Sequence, residues 1–449
     1  MERDMSKTLR TILFLLFVLA FLISAPLVVL YTAGYRFDLG NGKIVHTAVL
    51  NISSIPRNAT ITIDGETLSE RTPSVIETIT PGEHEVRLEK FGYLPWSQRM
   101  TFVSREATFA SDVVLFLDTT LSQLQSVDLI QSSVSPDGSR LAYLTQASSW
   151  LEVWTTTGQT DSTKLLMRVP YSILKDYALS WSLTGRYLAL ETTSGPDKEV
   201  SITRVEDGSS IVLPTDLREV LDVWWDASDD EELYVSTGTD VVRVAISQGS
   251  TEKLNVEADR VQSFGERDLI LTVSNHATVL SFEENDTASI LTYLPLGSYE
   301  FVRGPAGLVS LYETDRHRLI LLDPNNREQP IVLNEEVTQW SWDAAGNQLL
   351  FTSGYDLKRY DRSKNTTETL TRLSEPIERL GWYLKGTVAL FQSHGLTRAM
   401  RLDDHASPTQ ETLAQEIAGP FWVSDDGNTL YLVNVTDEED TIWMRALQN

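Results

Sequence analysis

After residue 120 the sequence repeats one short pattern, and this repetition limits the possible folds more than any other feature. Each unit has an apolar or Trp-bearing strand, a tight turn, a second apolar strand and a third, alternating strand. Val134-Ser135-Pro136-Asp137-Gly138 runs to Leu141-Ala142-Tyr143, and Trp181-Ser182-Leu183-Thr184-Gly185 to Leu188-Ala189-Leu190. Trp342-Asp343-Ala344-Ala345-Gly346 runs to Leu349-Leu350-Phe351, and Trp422-Val423-Ser424-Asp425-Asp426-Gly427 to Leu430-Tyr431-Leu432. Degenerate copies centre on Trp225, on Trp382, on Leu269-Ile270-Leu271 and on Leu308-Val309-Ser310-Leu311. Third strands such as Leu151-Glu152-Val153-Trp154, Val241-Val242-Arg243-Val244 and Ile442-Trp443-Met444 keep the same spacing, giving eight units from Val134 onward. A period near about 40 residues means a propeller or a solenoid, because no single unit can bury its own apolar faces.

Radial closure removes long exposed sheet edges, so an eight-bladed β-propeller over residues 118–449 is the expected solution. Seven blades is the alternative, since two copies are degenerate. The Trp before each turn is expected to pack between blades, and the Asp-Gly or Thr-Gly pair to supply the left-handed turn. Val113 to Leu121 is expected to lead into the ring and is the candidate for the strand that closes it. Ser-Pro-Asp-Gly-x-x-Leu-Ala-Tyr at 135–143 resembles the WD-like repeats of TolB-type propellers. That resemblance implies a fold and no particular activity.

Thr11 to Tyr31 carries no charge. As a helix it would be roughly 30 Å long, the thickness of a bilayer core. The uncharged run continues to Tyr35, longer than a signal-peptide core, and the small pair Ser24-Ala25 is followed by Pro26. A retained transmembrane anchor over residues 11–31 is therefore expected, with a cleaved signal as the other reading. Arg3, Lys7 and Arg10 precede the span and Arg36 alone follows closely. This bias puts the 1–10 stub in the cytoplasm and the larger part outside, with Tyr31 and Tyr35 at the outer interface. Residues 32–43 read as a linker.

From 44 to 117 short strands alternate with turns. Ala59, Ile61 and Ile63 alternate with threonines before Asp64-Gly65, and Val86 and Leu88 alternate with Glu85, Arg87 and Glu89. One buried and one solvated face follow from that period of two. Ser54-Ile55-Pro56-Arg57-Asn58-Ala59, Ile63-Asp64-Gly65, Thr72-Pro73, Pro81-Gly82-Glu83-His84 and Phe91-Gly92-Tyr93 resemble the PEGA domain in order and spacing. The resemblance implies a small β-sandwich on a bacterial or archaeal surface or envelope protein, used as a spacer and without catalytic residues. Tyr93 and Trp96 read as core or rim aromatics.

Acidic residues number 63 against 37 basic, and the net charge is −26. Such a surface repels nucleic acid and anionic lipid headgroups. With no cysteine, thiol catalysis, zinc–thiolate sites and iron–sulfur clusters are excluded. No G-x-S-x-G elbow or H-E-x-x-H is present, and His46, His84, His276, His317, His394 and His405 show no ligand spacing. Asp226, Asp229, Asp230, Glu231 and Glu232 lack an EF-hand's glycine and terminal glutamate, and read as a solvated acidic loop, as does Asp437-Glu438-Glu439-Asp440. The N-x-S/T triplets at Asn51, Asn58, Asn285, Asn365 and Asn434 are chance in a prokaryote.

No catalytic, cofactor or metal residue is thus expected, and the ligand-binding residues cannot be named from sequence. The expected protein is a non-enzymatic, single-pass surface protein whose propeller binds a protein, peptide or envelope polysaccharide. Two other readings stay open: a polysaccharide lyase or hydrolase using channel carboxylates, and an accessory subunit of a membrane assembly.

Overall fold

The computed structural model describes residues 7–32, 34–38, 43–159, 162–213, 220–238, 240–254, 256, 258–284, 287–402, 409–435 and 440–449. Arg3, Asn285, His405 and the acidic run 437–439 lie outside the described residues. The chain forms two compact units, the first ending at Asp118 and the second spanning Thr119–Leu402 and Gln410–Asn449.

The first unit opens with a helix, Lys7–Thr32, that passes through Pro26 without a break. Its stretch Thr11–Leu30 has a mean hydropathy of 3.0 and is long and apolar enough to cross a membrane, a property that anchors and signal sequences share. The segment read as a linker, 32–43, supplies the strand Tyr35–Asp38 of a short hairpin whose second strand is Lys43–His46. Two sheets follow. Ala48–Ile55 lies between Ser74–Ile79 and Ala107–Val114, while Thr60–Ile63 and Gly82–Glu89 are flanked by Glu66–Arg71 and Trp96–Phe102. Leu50, Ile52, Ile61, Val86, Leu88, Trp96 and Phe102 share one core, and Tyr93 packs on its rim.

Hydroxyls join two of the motifs in this unit. Ser54 Oγ and Thr72 Oγ1 lie 2.5 Å apart, and Thr72 Oγ1 also accepts from the Ala59 N–H at 2.9 Å. Val113 and Leu115 belong to the core of this unit, and Leu117 bridges to Tyr93. Val113 to Leu121 is therefore not the ring-closing segment expected from sequence.

The second unit is a β-propeller, and its described residues form eight four-stranded antiparallel sheets. In each of the first seven the strands follow chain order. The eighth takes Phe421–Val423, Thr429–Asn434 and Asp440–Ala446, and its outermost strand is Ser122–Val127 from the other end of the unit. Thr119 Oγ1 donates to the Ala446 carbonyl at 3.0 Å and the Leu129 N–H to Asp440 Oδ2 at 3.1 Å. Closure thus begins just after the stretch singled out in the sequence.

Second strands are buried on both faces, which explains their unbroken apolar runs. Leu188 and Leu190 pack toward Ala142 and Leu144 of the sheet before, while Tyr187 and Ala189 pack toward Val223 and Leu233 of the sheet after. Tyr431, Val433 and Trp422 of the eighth sheet pack on Leu141 and Tyr143 of the first, so the stack returns to its start.

Candidate functional site: the central cavities

The first strands of the sheets, Gln131–Val134, Asp176–Trp181, Asp222–Trp225, Arg260–Phe264, Tyr299–Phe301, Gln339–Trp342, Arg379–Tyr383 and Phe421–Val423, are the innermost. Residues of these strands and of the turns after them line two cavities. The smaller, about 510 Å³, is walled by the second to fifth sheets together with Pro136. The larger, about 620 Å³, is walled by the first and the last three sheets together with Arg303. Pro136 and Arg303 line both. These volumes fall in the usual range for small-ligand sites, roughly 300–1,000 Å³.

The repeat places tryptophans around these cavities and also fixes them. Trp181 Nε1 donates to the Ser133 carbonyl at 3.3 Å, Trp225 Nε1 to Ser180 Oγ at 3.2 Å, and Trp382 Nε1 to the Ser341 carbonyl at 2.8 Å. Each bond reaches the innermost strand of the preceding sheet. The indoles therefore stack between sheets as the sequence suggested, and rigid aromatic surface lines the cavity walls.

The two walls differ in charge. In the smaller cavity the carboxylates are largely matched. Asp222 meets Arg260 at 2.5 Å, and Lys198 bridges Asp222 at 3.2 Å and Glu191 at 3.0 Å. The Arg260 guanidinium also lies over the Trp224 ring, 4.6 Å from its centroid. In the larger cavity Asp137, the one carboxylate among the described lining residues, is taken up by Ser135 Oγ at 2.5 Å, Ser139 N–H at 3.1 Å and Ser139 Oγ at 2.8 Å. Arg303 and Arg379 share that wall.

Asp226 of the acidic run is not part of a solvated loop. It is 1 % exposed. It accepts from Ser228 N–H at 2.7 Å, Asp229 N–H at 2.9 Å, Tyr234 Oη at 3.0 Å, and Ser263 N–H and Oγ, both at 2.7 Å. Ser263 stands on the next sheet, so one carboxylate joins the third sheet to the fourth. Asp230 accepts from the Thr184 N–H at 2.9 Å, and Glu231 pairs with Arg186 of the second sheet. The run holds three sheets together. Among the described residues no group of three or more His, Cys, Asp or Glu side chains is placed to hold a metal ion.

Glycosidase chemistry needs a carboxyl group held protonated near a second one. Burial raises the pKa of Glu232 and of Glu411, in Glu232 against the opposing pull of Arg243, yet neither lines either of these two cavities. The cavity pair Glu191 and Asp222 is joined through the Lys198 ammonium instead. The sequence reading named no site residue here, and no motif marks Arg260, Arg303 or Arg379. Only the tryptophans were visible in the repeat.

Residues 47–115 match the PEGA domain. No curated protein sequence matches the chain. Among solved structures, a eukaryotic initiation factor shares 14 % identity at a TM-score of 0.48, covering 78 % of this chain and 91 % of that one. Sqt1 of Saccharomyces cerevisiae shares 12 % identity at 0.45, covering 74 % and 99 %. The Dos1 propeller shares 15 % at 0.44, covering 72 % and 94 %.

Proposed function

Taking the chain as a PEGA domain joined to a β-propeller, we propose a membrane-anchored, extracytoplasmic binding protein of a bacterial or archaeal cell. The helix Lys7–Thr32 is its single membrane span, with the N-terminus in the cytoplasm. The PEGA domain is a spacer in the chain, and the propeller binds a protein, peptide or envelope polysaccharide without transforming it. One observation supports this reading above the others: two ligand-sized recesses with rigid tryptophan walls and fixed charges lie along the innermost strands. Asp222 and Glu191 there are paired with cations and Asp137 and Asp226 are held by hydroxyl and N–H donors, which favours recognition over catalysis.

The test is affinity capture from envelope extract with the full chain in detergent, run beside a Trp340→Ala/Trp382→Ala variant. The expected result is an envelope component retained by the first and lost by the second. Equal capture by both would place binding elsewhere, and turnover of a captured glycan would revive the enzyme reading.

A further inference from the structure

The larger cavity is cationic and aromatic in a chain whose net charge is −26. Arg303 uses one N–H on the Pro136 carbonyl at 2.9 Å. Its remaining donors have no partner among the described residues. Arg379 spends Nη1 on Gln392 Oε1 at 3.0 Å and the Ala418 carbonyl at 2.7 Å. The carboxylate paired with it, Glu378, stands off at 3.9 Å. A guanidinium has five N–H groups in a planar fork that matches a carboxylate, so both arginines keep donors to offer. Arg243 of the same propeller, by contrast, is matched closely by Asp268 at 2.5 Å and Glu252 at 3.1 Å.

We propose that the larger cavity binds an acidic sugar, its carboxylate on Arg303 and Arg379 and its ring on the indoles of Trp340 and Trp382. This deepens the binding role proposed above and rests on it. Two features select this class. The wall offers side-chain donors but no free carboxylate, so an acceptor-rich ligand fits. A uronate brings a carboxylate, ring and glycosidic oxygens and hydroxyls, whereas an acidic peptide also brings backbone N–H donors with little to meet them. The rigid aromatic faces give a flat platform for a pyranose ring, and the sheet-to-sheet indole bonds hold Trp382 in place before any ligand arrives.

Titration calorimetry on the full chain in detergent, with trigalacturonate, its neutral methyl ester and triglutamate, tests this assignment. Trigalacturonate is expected to bind at least ten-fold more tightly than either of the others, and more weakly as salt rises. Arg303→Gln, an exposed side chain with one bond to lose, is expected to weaken it about ten-fold with unchanged circular dichroism and melting temperature. Arg379→Gln should do the same, with Arg303→Gln as the control should Arg379→Gln misfold. Equal binding of acid and ester, lost together in Trp382→Ala, would overturn the charge assignment and leave the binding role intact. Triglutamate binding as well as trigalacturonate would make this a peptide site. If none of the three binds, the proposal fails.

Discussion

His84 Nδ1 lies 2.5 Å from Asp64 Oδ2, so the tight turn at Asp64-Gly65 is held by a side chain from the strand Gly82–Glu89. The Glu85 N–H donates to the other carboxylate oxygen at 2.9 Å, and His84 Nε2 meets the Thr80 carbonyl at 2.7 Å. Partial burial works to raise the Asp64 pKa, but the bonds from His84 and Glu85 outweigh it and hold it below the usual 3.8. A depressed carboxyl pKa contributes stability above its unfolded value and loses it as pH falls through the folded one. The PEGA domain should therefore melt progressively earlier on acidification below about pH 4. Asp64→Ala should flatten that acid limb in a pH series of melting curves, at a cost near neutrality of about 1 kcal/mol, the scale of a hydrogen bond.

Asp226 gives a sharper expectation. Replacing it by Ala takes the acceptor from the N–H groups of Ser228, Asp229 and Ser263 and leaves Tyr234 Oη only its longer bond to Glu232 Oε2 at 3.4 Å, and buried donors without partners cost about 1–3 kcal/mol each. Asp226→Ala should lower propeller stability by roughly 3 kcal/mol in chemical denaturation, since several such groups are exposed together. Asp230→Ala, at a half-buried position with its bond to the Thr184 N–H to lose, should cost only about 1 kcal/mol. Equal effects of the two would mean that the acidic run acts only as a charged surface.

The seam between the eighth sheet and the first is testable at Gly158. Its φ is +86°, and a Cβ there would run into the Tyr431 ring, itself buried on the neighbouring sheet. Gly158→Ala combines overpacking with backbone strain and should destabilise by about 2–4 kcal/mol. Trp422→Phe, which deletes the 3.1 Å bond from Nε1 to the Thr157 carbonyl, should cost about 1 kcal/mol. Hydrogen exchange should report both losses first at this seam.

The membrane assignment predicts that the chain stays with vesicles after carbonate washing and that its mature form retains Thr11–Leu30. Phe21→Arg, at the middle of the span, should impair insertion by about 2.5–3.5 kcal/mol, read as the fraction of chain integrated. A mature chain beginning after Ala33 would instead mark the helix as a cleaved signal.

What was legible in the sequence follows from burial. Second strands are enclosed on both faces, so Leu188-Ala189-Leu190 and Leu349-Leu350-Phe351 stand out as apolar runs, and the turn before each is marked by Gly with Asp, Thr or Ala. The PEGA motifs were legible for a similar reason: Ser54 and Thr72 are conspicuous because one hydroxyl pair joins two turns. The role of Asp226 was hidden because its partner Ser263 lies on the next sheet, and proximity in sequence to other acids suggested solvent. Arg303 and Arg379 were hidden because a cavity wall collects one or two residues from each of several distant sheets. The closing strand was placed a few residues early, since Val113-Val114 is as apolar as any strand in the ring and serves the other core.

Pairing Ser122–Val127 with Asp440–Ala446 also sets an order of events during synthesis. The partner of an early strand is among the last residues made, so that edge must wait, unpaired, while more than three hundred residues emerge. A prematurely terminated chain would carry an open edge at each end of its stack, exposed to proteases and to other unfinished copies.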